Sequence, residues 1–146
     1  MIEQYENMQN WSLTYEHFLN KDEVKRLRNY VEKRRNRDKT KKTETNDWFM
    51  IECLLNTGLR VAELADLRCG DIALRDELSC VHVRNGKGGK SREVLISKRF
   101  QNVAHEYLDW KEIRCEQIGQ DDILMYSSRS KENIQHEHYN LVLSVV

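Results

Sequence analysis

Apolar residues recur at helical spacing in several stretches of the chain and alternate in one, with long polar intervals between them. Asn20-Lys21-Asp22-Glu23 stands ahead of Val24, Leu27, Tyr30 and Val31. An Asn whose side chain meets the amide three residues on, with a Glu there to reach back, forms a capping box, so a first helix is predicted to start at this point. The apolar signal then vanishes through Arg34-Arg35-Asn36-Arg37-Asp38-Lys39-Thr40-Lys41-Lys42-Thr43. With nothing to bury, that segment is predicted to be a mobile loop. A second helix is expected from near Thr45 or Asn46 through Trp48, Phe49, Ile51, Cys53, Leu54 and Leu55, apolar on most faces as a central helix should be. Gly58 ends it by accepting the left-handed backbone of a helix stop. Arg60 therefore begins the next element, with Val61, Leu64, Ala65 and Leu67 burying one side and Arg60 and Glu63 sharing another.

Beyond the Gly70-Asp71-Ile72 step, Ser79-Cys80-Val81-His82-Val83-Arg84 alternates as a strand does, and Glu93-Val94-Leu95-Ile96 reads as its return. The intervening turn carries Gly86, Gly88 and Gly89, which let the backbone turn tightly and leave Lys87 and Lys90 projecting from the tip. Ser97 is the predicted cap of a long helix bearing Phe100, Val103, Ala104, Tyr107 and Leu108, with Gly119 as its stop. A short extended piece around Ile123-Leu124-Met125-Tyr126 follows. From about Lys131, Ile134, His138, Leu141, Val142 and Val145 fall on one helical face. Residues 1–18 are polar with isolated aromatics and are read as a leader without an assigned structure. The fold class expected is α+β, mainly helical, with a small antiparallel sheet.

Composition narrows the function classes. The chain has 146 residues, about one domain's worth, with 39% hydrophobic and 33% charged positions. No apolar run approaches the roughly 18 residues of a membrane span, and the N-terminus lacks the regions of a signal peptide, so a cytoplasmic location away from membranes is expected. Cys53, Cys69, Cys80 and Cys115 show no Cys-x-x-Cys or zinc-type spacing and read as reduced thiols, mostly in the core. His136 and His138 are two apart and diverge on a helix, so no metal is implied. Net charge is zero, but the charges are not evenly spread. Lys25 to Lys42 holds ten basic residues against Glu32 and Asp38, and Arg84 to Arg99 holds six against Glu93. A local positive field, not the total charge, attracts a polyanion, so both zones are candidate phosphate surfaces.

The chemistry these residues support is phosphate handling. Arginine offers a planar fork that matches two phosphate oxygens, and Glu63, three residues on, can hold the fork of Arg60 in place. Gly89-Lys90-Ser91 is not the end of a nucleotide-binding P-loop. That motif needs a glycine where this chain has Arg84, and a following helix where this chain has a strand.

Three blocks, Leu54-Leu55-Asn56-Thr57-Gly58-Leu59-Arg60-Val61-Ala62-Glu63-Leu64-Ala65-Asp66-Leu67, Gly70-Asp71-Ile72 and Gly86-Lys87-Gly88-Gly89-Lys90-Ser91-Arg92-Glu93-Val94, resemble the tyrosine recombinase family, the phage-type integrases. The resemblance runs from about Leu19 to the C-terminus and implies the N-terminal portion of that family's catalytic domain, over residues 19–146. It implies double-stranded DNA as partner, other recombinase protomers in a synaptic tetramer, and strand exchange through a phosphotyrosyl bridge without metal, nucleotide or other cofactor. By resemblance Arg60 is a catalytic arginine that neutralises the phosphate, Glu63 supports it, and Lys87 is the general acid for the departing hydroxyl. Lys90, Arg92 and Arg84 are then DNA contacts.

The family's His-x-x-Arg box and nucleophilic tyrosine have no counterpart in the sequence. His136-Glu137-His138-Tyr139 carries no arginine at the needed place, and Tyr126 and Tyr139 read as packing residues. The chain alone is therefore expected to be inactive in recombination. Two alternatives belong to other classes. One is a non-catalytic DNA- or partner-binding remnant that modulates a full-length recombinase. The other is a helix-turn-helix regulator around Leu55 to Leu67, which fits poorly because Val61, Leu64 and Leu67 would face the core and leave few side chains to read bases.

Overall fold

The computed structural model describes Thr14 and residues 18–126. The predicted helix beyond Lys131, the His136/His138 pair, Tyr139 and the leader apart from Thr14 and Phe18 lie outside the described residues. Helix α1 spans Lys21–Arg37 and opens with the expected capping box. The Asn20 side chain accepts from the amides of Asp22 and Glu23 at 2.9 and 3.0 Å, while Glu23 accepts from the Asn20 amide at 2.8 Å.

The segment expected to be a mobile loop is mostly helical. α1 continues to Arg37, and α2 begins already at Lys42, leaving only residues 38–41 between them. The polar residues find partners that a hydrophobic pattern cannot reveal. The Arg35 guanidinium lies 3.7 Å from the centre of the Trp48 ring and pairs with Glu106. Arg34 donates to Asp47 at 3.2 Å. Long basic side chains cover apolar surface with their stems, so a stretch without apolar residues still helps build a core.

Helix α2, Lys42–Thr57, is buried throughout Thr45–Cys53 and forms the centre of the molecule. Phe49 stacks on Tyr107 at 3.9 Å and on Phe100 at 6.0 Å, joining α2 to α4, Lys98–Ile113. Gly58 adopts φ 63° and donates to the Leu54 carbonyl, as a helix-stopping glycine should. The five-residue α3, Val61–Ala65, follows.

Strands β1 (Ile72–Ala73), β2 (Cys80–Val83) and β3 (Arg92–Leu95) make a three-stranded antiparallel sheet in chain order. Val83 lies opposite Arg92 and Cys80 opposite Leu95. Val81 and Val83 enter the core, whereas β3 is largely exposed.

Helix α4 begins at the predicted Ser97 cap, whose hydroxyl accepts from the Phe100 amide at 3.3 Å. It does not run to Gly119. Cys115 takes the left-handed conformation at φ 55° and stops the helix there, and Gly119 instead closes a turn by donating to Asp122 at 2.6 Å. The chain then folds back across α4. Lys111, fully buried, donates to the Leu124 carbonyl at 3.0 Å, Ile123 bridges Arg68, and Leu124 and Met125 are buried. Tyr126 packs its ring near Lys42 and Lys111, consistent with a packing role. Cys53, Cys69 and Cys80 are buried free thiols, and burial pushes the Cys53 thiol up to about 12. Among the described residues no helix is long and apolar enough to cross a membrane.

Candidate phosphate-binding site at α3 and the β2–β3 hairpin

Gly58 reverses the chain, Leu59 is buried behind it, and Arg60 takes the extended backbone of a helix cap. That places Glu63 in the first turn of α3, facing back to its own cap. Glu63 Oε2 accepts from the Arg60 amide at 2.9 Å, and Oε1 accepts from Arg60 Nη1 at 3.3 Å. Most of the Arg60 side chain remains exposed, at 61%, while that of Glu63 is 4% exposed. A buried carboxylate thus holds the backbone amide and one terminal nitrogen of an arginine whose side chain is otherwise open to solvent.

The principal partner of Glu63 was not legible in the sequence. Arg92, at the start of β3, donates Nη1 to Oε1 at 2.7 Å and Nη2 to Oε2 at 2.8 Å, a two-pronged charged pair. The Arg92 fork holds the Glu63 carboxyl down at about 2, against the opposing effect of burial and with help from the Arg60 amide. The residues are 29 apart, so no local periodicity connects them.

The turn between β2 and β3 is tight. Gly88 and Gly89 have φ of 75° and 72°, a backbone that side chains with a Cβ rarely adopt. Gly86 is constrained by closeness instead. A Cβ there would lie 2.7 Å from the Lys90 carbonyl, 2.9 Å from Arg92 Nη1 and 3.6 Å from Glu63 Oε1. Lys87 and Lys90 flank these glycines with exposed side chains and, among the described residues, no ion-pair partner. At the hairpin's leading end, Arg84 Nε donates to buried Asp71 at 2.7 Å, and Asp71 raises the affinity of that guanidinium for its proton. Asp71 Oδ2 also accepts from the Arg68 amide at 2.8 Å. Glu63, Asp66, Arg68, Asp71, Arg84 and Asn85 are among the residues lining a cleft of about 280 Å³ between α3 and the hairpin.

All six residues singled out in the sequence therefore lie on α3, on the hairpin or at its ends. Arg60, Glu63 and Arg92 form one connected cluster, Arg84 forms a second with Asp71, and Lys87 and Lys90 at the tip have no ion-pair partner among the described residues. The first basic zone behaves differently. Arg28, Arg34, Arg35 and Lys42 pair with Glu52, Asp47, Glu106 and Glu116 respectively. Only Lys25, Arg26, Lys33, Arg37, Lys39 and Lys41 stay exposed there.

The family model described as the phage integrase family matches residues 17–144. This chain belongs to the phage integrase family. Curated relatives of this integrase-family chain are tyrosine recombinases. It is 32% identical over 104 residues to tyrosine recombinase XerA of Thermococcus kodakarensis, an alignment covering 71% of this chain and 33% of the relative. It is 29% identical over 114 residues to XerH of Campylobacter jejuni, covering 70% and 31%. Among solved structures, XerA recombinase superposes with a TM-score of 0.57 at 28% identity, covering 85% of this chain and 38% of that one. XerH bound to a palindromic difH substrate in a post-cleavage complex superposes with a TM-score of 0.65, covering 87% and 35%; at 18% identity that likeness is one of fold. The integrase-family chain spans about a third of the length of the curated relatives it matches. Its mainly helical fold with a small antiparallel sheet is that of these recombinases.

Proposed function

We propose that this chain supplies the DNA-facing part of a site-specific tyrosine recombinase, with Arg60 and Lys87 as its contribution to the chemistry of strand exchange. The observation that carries this reading is the Glu63 carboxylate, which binds Arg60 on one side and the hairpin's Arg92 on the other. It joins the two motifs that the sequence shares with the family.

In this reading Arg60 donates to non-bridging phosphate oxygens, where negative charge accumulates as the phosphorus becomes five-coordinate. Glu63 keeps the guanidinium oriented. In the complete protein a tyrosine oxygen bonds to phosphorus as the bond to the departing oxygen breaks, and Lys87 gives that oxygen a proton so that it leaves as a hydroxyl. Lys90 contacts the DNA backbone. The sequence contains no His-x-x-Arg box, so the chain by itself binds DNA without cutting it.

Duplex binding measured over a range of salt tests this. Binding is expected to be weak, largely independent of sequence and steeply weakened by salt, because the named contacts are to phosphates. Arg60→Ala and Lys87→Ala should each weaken it. Affinity unchanged in both variants would refute the site. A denaturant-resistant adduct with nicked duplex, lost in Tyr126→Phe, would refute the expected inactivity.

A further inference from the structure

We infer that Arg92 and Arg84 are positioning residues that fix the hairpin at its two ends and so set the approach of Lys87, a role beyond the DNA contacts their sequence positions suggest. The inference rests on the reading of Lys87 given above. Both terminal nitrogens of Arg92 are engaged by the two oxygens of Glu63, at 2.7 and 2.8 Å, so its end-on fork is committed to the protein. Arg84 is bound through Nε at 2.7 Å to Asp71 and faces Asp121 at 3.8 Å through Nη1. The receiving carboxylates are buried, with side-chain exposures of 4% for Glu63 and 3% for Asp71, so each is a fixed point on the body of the protein.

The hairpin joins these points directly. Arg92 opens β3 and Arg84 follows the last residue of β2, so the two arginines bracket the turn. The Gly86 backbone, immediately before Lys87, lies against the Arg92 fork, with room for no side chain. Gly86 also donates to the Lys90 carbonyl at 2.9 Å and accepts from Gly89 at 2.9 Å, which closes the tip. Since Glu63 also receives the Arg60 amide, one carboxylate places the arginine of α3 and the exit of the lysine hairpin in a common frame. A planar two-pronged pair fixes direction as well as distance, which a lysine's point charge does not.

Hydrogen exchange of the intact chain, combined with a double-mutant cycle in duplex binding, tests the assignment. Arg92→Gln should speed amide exchange across residues 85–90 by roughly tenfold or more, as expected for loss of hydrogen bonds to a charged group, with α2 and α4 unchanged. Arg84→Gln should do the same more weakly, and Arg92→Lys should restore only part of the protection. Arg92→Gln should weaken duplex binding by the unaltered chain yet add nothing in the Lys87→Ala background, because a residue acting through another is not additive with it. Unchanged hairpin exchange, equal acceleration in α2 and α4, or fully additive losses of affinity would each overturn the assignment. If the unaltered chain binds no duplex at all, the functional reading fails and the exchange measurement alone decides whether the two arginines hold the hairpin.

Discussion

Arg28, Arg34 and Arg35 on α1 and Arg60, Lys87 and Lys90 at the α3–hairpin end come from stretches that are both rich in positive charge, yet the structure uses them in different ways. On α1 these three arginines turn inward, while Lys25, Arg26, Lys33 and Arg37 stay exposed. Arg35 is 5% exposed and stacks on Trp48, and Arg28 reaches the buried Glu52 that also receives Arg99. At the hairpin end, the carboxylates are buried and the cations are left open, with the Arg60 side chain 61% exposed beside a Glu63 at 4%. Local charge density therefore does not separate scaffold from site. The carboxylates are buried in both regions, at Glu52 as at Glu63; what differs is how far the cation stays exposed once its partner is satisfied, 28% for Arg28 against 61% for Arg60.

The largest expected effect lies in the helical half. Trp48→Ala removes a buried ring and the face on which Arg35 rests, and should destabilise the fold by about 3–5 kcal/mol in denaturant unfolding. A loss below about 1 kcal/mol would break the claim that the first basic zone is scaffold. The paired change Lys87→Ala with Lys90→Ala should alter stability by no more than about 0.5 kcal/mol. It should instead lower the salt dependence of duplex binding by about two phosphate contacts, close to 0.9 in slope for each. A large stability loss there would blur the distinction between the two regions.

Acid should separate them as well. The Glu63 carboxyl is depressed from 4.5 to about 2 by the Arg92 fork, so its contribution to hairpin docking is fully present above about pH 4.5 and is lost as pH falls toward 2. Hairpin amides should lose protection across that window ahead of those in α2. Simultaneous loss would mean that the pair does not govern the hairpin independently. Smallest of all should be Lys25→Gln with Arg26→Gln on the exposed side of α1, expected to change stability by less than about 0.5 kcal/mol and duplex affinity hardly at all.

How far the sequence foretold this molecule followed how local each interaction is. The Asn20 capping box, the Gly58 stop, the Ser97 cap and the β2–β3 pairing depend on residues within a turn or two and were readable. So was the Arg60–Glu63 pair at three residues' spacing. The continuation of α1 through Arg37 was not, because Trp48 and Glu106, which hold Arg35, arrive from α2 and α4. β1 escaped notice because two residues are too few to alternate. In the site, the residue types were legible and the wiring was not. No local spacing links Arg92 and Arg84 to Glu63 and Asp71, which folding alone brings to them.

We propose that the α3–hairpin end, and not the basic face of α1, meets DNA phosphate. This is tested most directly by titrating the isotope-labelled chain with duplex DNA and following backbone amide shifts. The largest shifts should fall in residues 58–63 and 84–92 and should shrink with added salt. Shifts concentrated in residues 25–41, with the hairpin silent, would contradict it.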